Sequence, residues 1–286
     1  MKHKKIIVLI SFCIVILVTS GVYKYFYSNP YITKLDRVIL ATDANPNYIQ
    51  FWPAVAKAWT ELIGVRPTLA LIASQDVPID ESLGDVIRFE PIPNIPTSLQ
   101  AQVIRLLLPA YFENDVCIIS DIDMIPLNKD YFLKGIEGIP HDHFVVYRDI
   151  AYPAACKRYA ICYNAAKGHV YKEIFNINKL SDIPSIIKLW HSYELGWDTD
   201  ELLLYKYLKK WPKFNTHCTL LGQRGDIKPQ QRVDRIRWGC NKQLLASNYY
   251  IDMHCPRPYQ DYKKDIDLIL QYAYHYYEKG NNSYAA

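Results

Sequence analysis

Two carboxylates stand two residues apart in "CIISDIDMIPL", where Asp121 and Asp123 follow the apolar run from Val116 to Ser120. In an extended segment residues i and i+2 point to the same side. Both acids can therefore converge on one ligand while Ile122 turns into the protein. Facing carboxylates repel unless positive charge lies between them. A hard divalent cation, Mg²⁺ or Mn²⁺, itself holding phosphate oxygens, meets that need. A strand that simply ends in a polar turn is the bland account of the same residues, and Pro126, which halts the run, suits either. A second acidic group, "WDTDE", sets Trp197 before Asp198, Asp200 and Glu201 at the start of a helical stretch, where the helix dipole alone favours acids.

The elements that must position these residues are legible from periodicity. "RVILATD" (37–43), "PTLALIA" (67–73), "DVIRFEPI" (85–92) and "DVCIISD" (115–121) are apolar, β-branched runs ending in polar residues, as buried strands do. Between them, Tyr48, Phe51, Trp52, Val55, Trp59, Leu62 and Ile63 form a helical stripe, with Pro53 placed to start or kink it. "SLQAQVIRLLLPAYF" (98–112) is helical too. Alternating strands and helices predict an α/β domain with a largely parallel central sheet. Ligands of such sheets bind at the carboxyl ends of the strands, where Asp43 and Asp121 fall. Further strands are expected in "HFVVYRD", "RYAICYN" (158–164) and "NYYIDMHC" (248–255). Helices are expected over about 166–210, and a last amphipathic helix over about 262–278.

"RLLLPAYF" followed by "VCIISDIDMIPL" resembles the Arg-Leu…Pro helix and Asp-x-Asp strand end of the GT-A-fold glycosyltransferases, particularly the glycogenin-like and related nucleotide-sugar enzymes. The resemblance spans roughly residues 36–260 on a few motifs. It implies that Asp123 is a direct metal ligand, that Asp121 contacts the metal or the ribose, and that Arg105 belongs to the substrate site. "RVILATD" is similar to the family's first strand, which places Thr42 and Asp43 against the nucleotide base. "YIDMHCPRPY" resembles the late strand that supplies a third metal ligand, here His254. The glycogenin-like branch continues with Gly and Lys-Pro-Trp, whereas this chain has Cys-Pro-Arg-Pro-Tyr, leaving Arg257 as the phosphate partner; Arg and Lys are not equivalent donors. By the same resemblance Asp200 and Glu201 face the sugars or act as base, Trp197 is a stacking platform, and Asn164 of "ICYNAAKG" lines the donor sugar.

The whole chain agrees with an enzyme-sized domain. Its 286 residues are half apolar and 22% charged, which excludes a disordered protein. A net charge of +4 does not by itself imply nucleic acid, and none is expected as partner. The positive charge is concentrated, with nine Lys or Arg against two Asp between Lys206 and Arg237, which suits a diphosphate, an anionic membrane or simply a solvated basic face. At the N-terminus "MKHKK" precedes seventeen uncharged residues, Ile6 to Val22, and then "YKYFY". Seventeen residues lie at the short end of what spans a bilayer, and the Tyr-rich flank predicts an uncleaved anchor, with cleavage before Gly21 as the alternative. The expected organisation is a cytosolic tail (1–5), a transmembrane signal anchor (6–22), a stem (23–35) and one catalytic domain (36–286). That makes a type II single-pass protein with its domain on the lumenal or extracytoplasmic side, Golgi or ER in a eukaryote.

The expected activity is metal-dependent transfer from a nucleotide sugar, a UDP-sugar first among them, to a glycan, lipid or protein acceptor. A degenerate, sugar-binding member of the same fold is one alternative. A haloacid-dehalogenase-type phosphatase is another, although Ile125 stands where that motif expects Thr. The six cysteines outside the anchor have no metal-ligand spacing, and Cys117 is expected as a packed thiol.

Overall fold

The computed structural model describes residues 30–222 and 231–282. The tail, the anchor segment 6–22 and most of the stem lie outside the described residues, as does part of the basic stretch. No helix among the described residues is long and apolar enough to cross a membrane.

Strand β1 (Arg37–Asp43) is the axis of the molecule. Its run of buried positions alternates between two cores: Val38 and Leu40 face one, Ile39 and Ala41 the other. A strand buried on both faces reads as a continuous apolar run, which is why "RVILATD" shows no polar alternation. It pairs in parallel with β2 (Arg66–Ile72) on one side and β4 (Val116–Ile119) on the other. The seven-stranded order is β3-β2-β1-β4-β7-β6-β8, with β3 at Asp85–Phe89, β6 at Phe144–Val146, β7 at Asn164–Lys167 and β8 at Cys218–Leu220. The first four strands are parallel; β7 runs antiparallel to both β4 and β6. The chain leaves β1 toward β2 and β3, then returns to β4 on the opposite side. That reversal opens a crevice at the carboxyl ends of β1 and β4.

Helix α1 (Trp52–Ala58) and the π-helical turn after it cover one face with Trp52, Trp59 and Leu62. Pro53 sits in the first turn, where its missing N–H costs nothing. Helices α2 (Thr97–Leu107), α4 (Gly168–Phe175), α5 (Ile183–His191) and α6 (Thr199–Lys210) cover the other face; a short α3 (Lys129–Lys134) lies between β4 and β6. Fully burying a side chain such as Leu203 or Leu204 contributes about 1.5–3 kcal/mol relative to leaving it exposed. Gly168 tolerates no Cβ, which would lie 2.3 Å from the Phe112 carbonyl oxygen, so α4 can start hard against the turn before β4. A second, three-stranded sheet has the order β5-β10-β9, with β5 at Met124–Pro126, β9 at Gln231–Asp234 and β10 at Tyr250–His254. Helix α7 (Tyr259–Asn282) closes the described chain and starts earlier than periodicity suggests.

Three sequence expectations are corrected. No strand forms over 158–163; the strand begins at Asn164. The carbonyls of Ala160 and Ile161 accept from the Asn164 amide at 2.9 and 2.7 Å, and the Ile161 N–H donates to Glu201. Side chains thus take the backbone groups a ladder would need. The stem does not extend to residue 35, because Ile32 and Leu35 are buried and the Ile32 N–H donates to the Ile139 carbonyl at 2.7 Å. Strand β3 ends at Phe89, short of the expected Ile92.

Candidate active site

The crevice deepens into a cavity of about 410 Å³. Thr42 and Asp43 reach it from the end of β1, Asp121 and Asp123 from the turn after β4, and Arg105 from α2. Asp200 and Glu201 enter from the first turn of α6, with Trp197 just before it, and His254 and Arg257 come from the end of β10 and beyond. A roomier groove of about 930 Å³ lies between α1 and α7, away from the acidic pair.

The tightest part of the site is a buried ion cluster. Arg105 lies between two acids, ion-paired to Asp121 through Nη1 and to Asp200 Oδ2 through Nη2 at 2.8 Å. Burial would raise the Asp121 carboxyl, but the Arg105 charge prevails and holds it below the ordinary range. Asp200, only 3% exposed, is pushed up by burial in spite of Arg105. Its other oxygen accepts from the adjacent Glu201 N–H at 2.9 Å within the first turn of α6.

Around Asp123 the geometry is looser. Pairing of β5 with β10 sets Met124 opposite His254, and the Cys255 N–H donates to the Asp123 carbonyl at 2.9 Å. Asp123 Oδ2 then lies 3.9 Å from His254 Nε2, 3.6 Å from Arg235 and 3.8 Å from Arg257. None of these is a hydrogen-bond distance. Burial, then the charge of Asp121, pushes the Asp123 carboxyl up to about 7. Burial, then Arg235, pushes His254 down to about 4, so its imidazole is neutral at pH 7. Asp234, paired with His254 in register, faces its other nitrogen at 3.9 Å.

This donor set fits a divalent cation incompletely enclosed by protein. Among the described residues no three His, Cys, Asp or Glu side chains converge as a cage. Asp121 is engaged by Arg105, which leaves a carboxylate and a neutral imidazole. Mg²⁺-type sites commonly use one or two carboxylates and complete their shell with water and substrate phosphates.

Glu201 differs from its neighbour. Its Oε1 accepts from the Tyr152 hydroxyl at 2.8 Å and from the Ile161 N–H at 3.4 Å, and Arg158 Nε lies 3.8 Å from Oε2. Burial raises its carboxyl to about 7 against the pull of the Tyr152 hydrogen bond. Trp197 projects at the rim, 67% exposed. Asp43 is held by Thr97 Oγ1, which donates at 2.7 Å. Arg257 stacks 4.7 Å over the Tyr48 ring.

Of the residues singled out in the sequence, one stands behind the wall. Asn164 is fully buried, and its amide supports the lining residues Ala160 and Ile161. Sequence reasoning missed Arg148, Tyr152, Cys162, Arg232 and Arg235, all of which line the cavity. Only the basic composition of 206–237 pointed toward the last two. The described cysteines are free thiols, and Cys117 is fully buried.

No family model matches the chain, and no curated protein matches it. Among solved structures it is similar to the glycosyltransferase GlyE of Streptococcus pneumoniae TIGR4, at 10% identity and a TM-score of 0.48 over 87% of this chain and 64% of that one. It thus spans less than two thirds of the length of GlyE. The galactosyltransferase LgtC, solved with donor and acceptor sugar analogs, is 11% identical with a TM-score of 0.45, over 83% of this chain and 95% of that one. The bifunctional glycosyltransferase WbbM is 10% identical with a TM-score of 0.37, over 79% and 46%.

Proposed function

We propose that the cavity is the active site of a metal-dependent glycosyltransferase that moves a sugar from a nucleoside-diphosphate sugar to an acceptor hydroxyl. The observation that carries this reading is the meeting of an open carboxylate–imidazole pair, two arginines and the Glu201 carboxyl in one cavity at the strand ends. Asp123 and His254 would hold Mn²⁺ or Mg²⁺. When bound, such an ion supplies Lewis-acid neutralisation of the diphosphate leaving group. Arg235 and Arg257, beside Asp123, face the same phosphates. Thr42 and Asp43, at the end of β1, border the place for the nucleoside. Arg105 keeps Asp121 and Asp200 in place, so Asp200 orients the helix start and Glu201, held through Oε1, turns Oε2 to orient the acceptor hydroxyl or take its proton. Trp197 offers an aromatic face to a glycan, lipid-linked or protein-linked acceptor sugar.

The phosphatase alternative needs its first Asp free to attack, and Asp121 is tied to Arg105. The segment Ile6 to Val22 would anchor the protein as a type II membrane protein, which retention in the bilayer fraction after an alkaline carbonate wash tests. The reaction itself is tested by a nucleotide-sugar hydrolysis screen with and without Mn²⁺, on wild type and Asp123→Ala. Metal-dependent turnover that disappears in the folded variant is expected. Full activity of metal-depleted Asp123→Ala sinks the metal reading, and phosphate release from simple phosphoesters instead would identify a phosphatase.

A further inference from the structure

Five arginines line the cavity, and four have carboxylates. Arg105 has Asp121 and Asp200, Arg235 and Arg257 approach Asp123, and Arg232 grips the fully buried Asp252 with two hydrogen bonds of 2.8 and 2.7 Å. Arg148, just after β6, is different. Its guanidinium is half-buried in the cavity wall, and its hydrogen-bonding neighbour is the Cys162 thiol at 3.8 Å. Among the described residues no carboxylate forms an ion pair with it. Asp252, the carboxylate whose charge acts on Arg148, is fully used: Arg232 takes both of its oxygens, and the Tyr163 hydroxyl donates to one at 2.7 Å.

A partly desolvated guanidinium whose hydrogen-bonding partner is a thiol, and on which the one carboxylate that acts, Asp252, is already committed to Arg232, is an incomplete arrangement, because a buried charge without its own bonded counter-charge is costly. The nucleotide diphosphate does not complete it, since its place is at Asp123, with Arg235 and Arg257. Arg148 lies instead beside Cys162, on the Asp121 side of the cavity. One unbalanced cation, with Arg232 already committed, matches a single negative charge better than a phosphate dianion. The planar fork of a guanidinium also matches a carboxylate in two parallel hydrogen bonds.

We infer that Arg148 reads a carboxylate on the sugar, so that the substrate of this site is an acidic, uronic-acid-type sugar. The inference rests on the glycosyltransferase reading and specifies its substrate class. The carboxylate can belong to the transferred sugar or to the acceptor.

Calorimetric titrations of the full-length chain in detergent with Mn²⁺ separate these cases. One arm compares UDP, UDP-glucose and UDP-glucuronate; the other compares glucose with glucuronate in the presence of UDP. The acidic probe should bind about 10-fold or more tightly than its neutral counterpart in one arm, as a charge-assisted hydrogen bond implies. Arg148→Met should erase that preference, while Arg148→Lys, which keeps the charge and loses the fork, should retain part of it. No preference for the acidic probe in either arm overturns the inference while UDP binding leaves the donor reading standing. An Arg148→Met loss for UDP as large as that for UDP-glucuronate overturns it too, because Arg148 would then hold the diphosphate. A chain that binds no UDP sinks the donor reading and the inference with it.

Discussion

The two halves of the cavity are built on opposite plans. Around Arg105 every charge has its partner within bonding distance, and both Arg105 and Asp200 are almost without solvent. Around Asp123 three cationic or imidazole groups stand 3.6 to 3.9 Å away without closing on it. The first half is a finished piece of scaffold that locks α2, the turn after β4 and the start of α6 together. The second is an open set of groups that stand beyond bonding distance of one another. The presence of acids in a cavity therefore does not mark chemistry by itself; incompleteness does.

Glu201 belongs functionally to the open half although it sits one residue from the closed one, and it gives the largest expected effect. Glu201→Gln should keep donor affinity and lower transfer by roughly 10²–10⁴-fold. The wild-type rate should rise with pH through about 7 as the carboxyl ionises, a limb absent from the variant. Near-wild-type transfer in Glu201→Gln would reduce it to a first-turn acid.

Breaking the closed half should cost stability instead. Arg105→Met leaves two carboxylates without their cation, an expected loss of about 3–5 kcal/mol in urea unfolding. An unchanged unfolding midpoint would mean the cluster is not what joins these elements.

Asp123 should behave with the opposite sign. Its folded pKa of about 7 lies above the ordinary 3.8, so the metal-free folded chain keeps a proton that the unfolded chain has released. Stability from this group is full below about pH 4 and is lost as pH rises to about 7. Glu201 adds a decline of the same sign. In metal-free protein Asp123→Asn should flatten part of that decline, and in wild type Mn²⁺ should offset it by binding the folded state. A wild-type curve that is no steeper than that of the variant would remove Asp123 from the open half.

Two smaller effects sharpen the contrast. His254→Ala should weaken Mn²⁺ binding by roughly 10-fold or more, read from Mn²⁺ titrations of nucleotide-sugar binding; an unchanged titration leaves His254 a structural residue. Asp198→Asn removes a rim pair with Arg158 at 2.5 Å, yet Asp198 is nearly half exposed. Its unfolding free energy should move by no more than about 1 kcal/mol. A larger shift would mean that the rim is built like the closed half.

The legible parts of the molecule were those set by local periodicity. Asp121 and Asp123 could be located because a buried strand ends just before them, although they stand in a turn, where the Met124 N–H donates to the Asp121 carbonyl at 3.2 Å, and so face different partners. The four parallel strands were visible for the same reason. "RYAICYN" misled because its continuous apolar run reads as a buried strand, while its backbone groups are taken by Asn164 and Glu201, one of them from a distant helix. Arg148 and Tyr152 could not be found at all. They lie in a connection after β6 whose course is set by what it packs against, and neither stands in a motif.

The pairing of β5 with β10 has a kinetic consequence. Met124 and His254 meet from opposite halves of the chain, so the open half of the cavity is closed by the strand pairing of widest sequence separation among the described residues. Such contacts are slow to form, because chain entropy must be lost before they reward it. A chain emerging from the ribosome can build the parallel strands and hold Asp121 long before β10 has been synthesised. Capacity to bind a ligand at Asp123 should therefore be the last property the folding protein acquires, and a truncation before Tyr250 should leave much of the parallel sheet's local order without it.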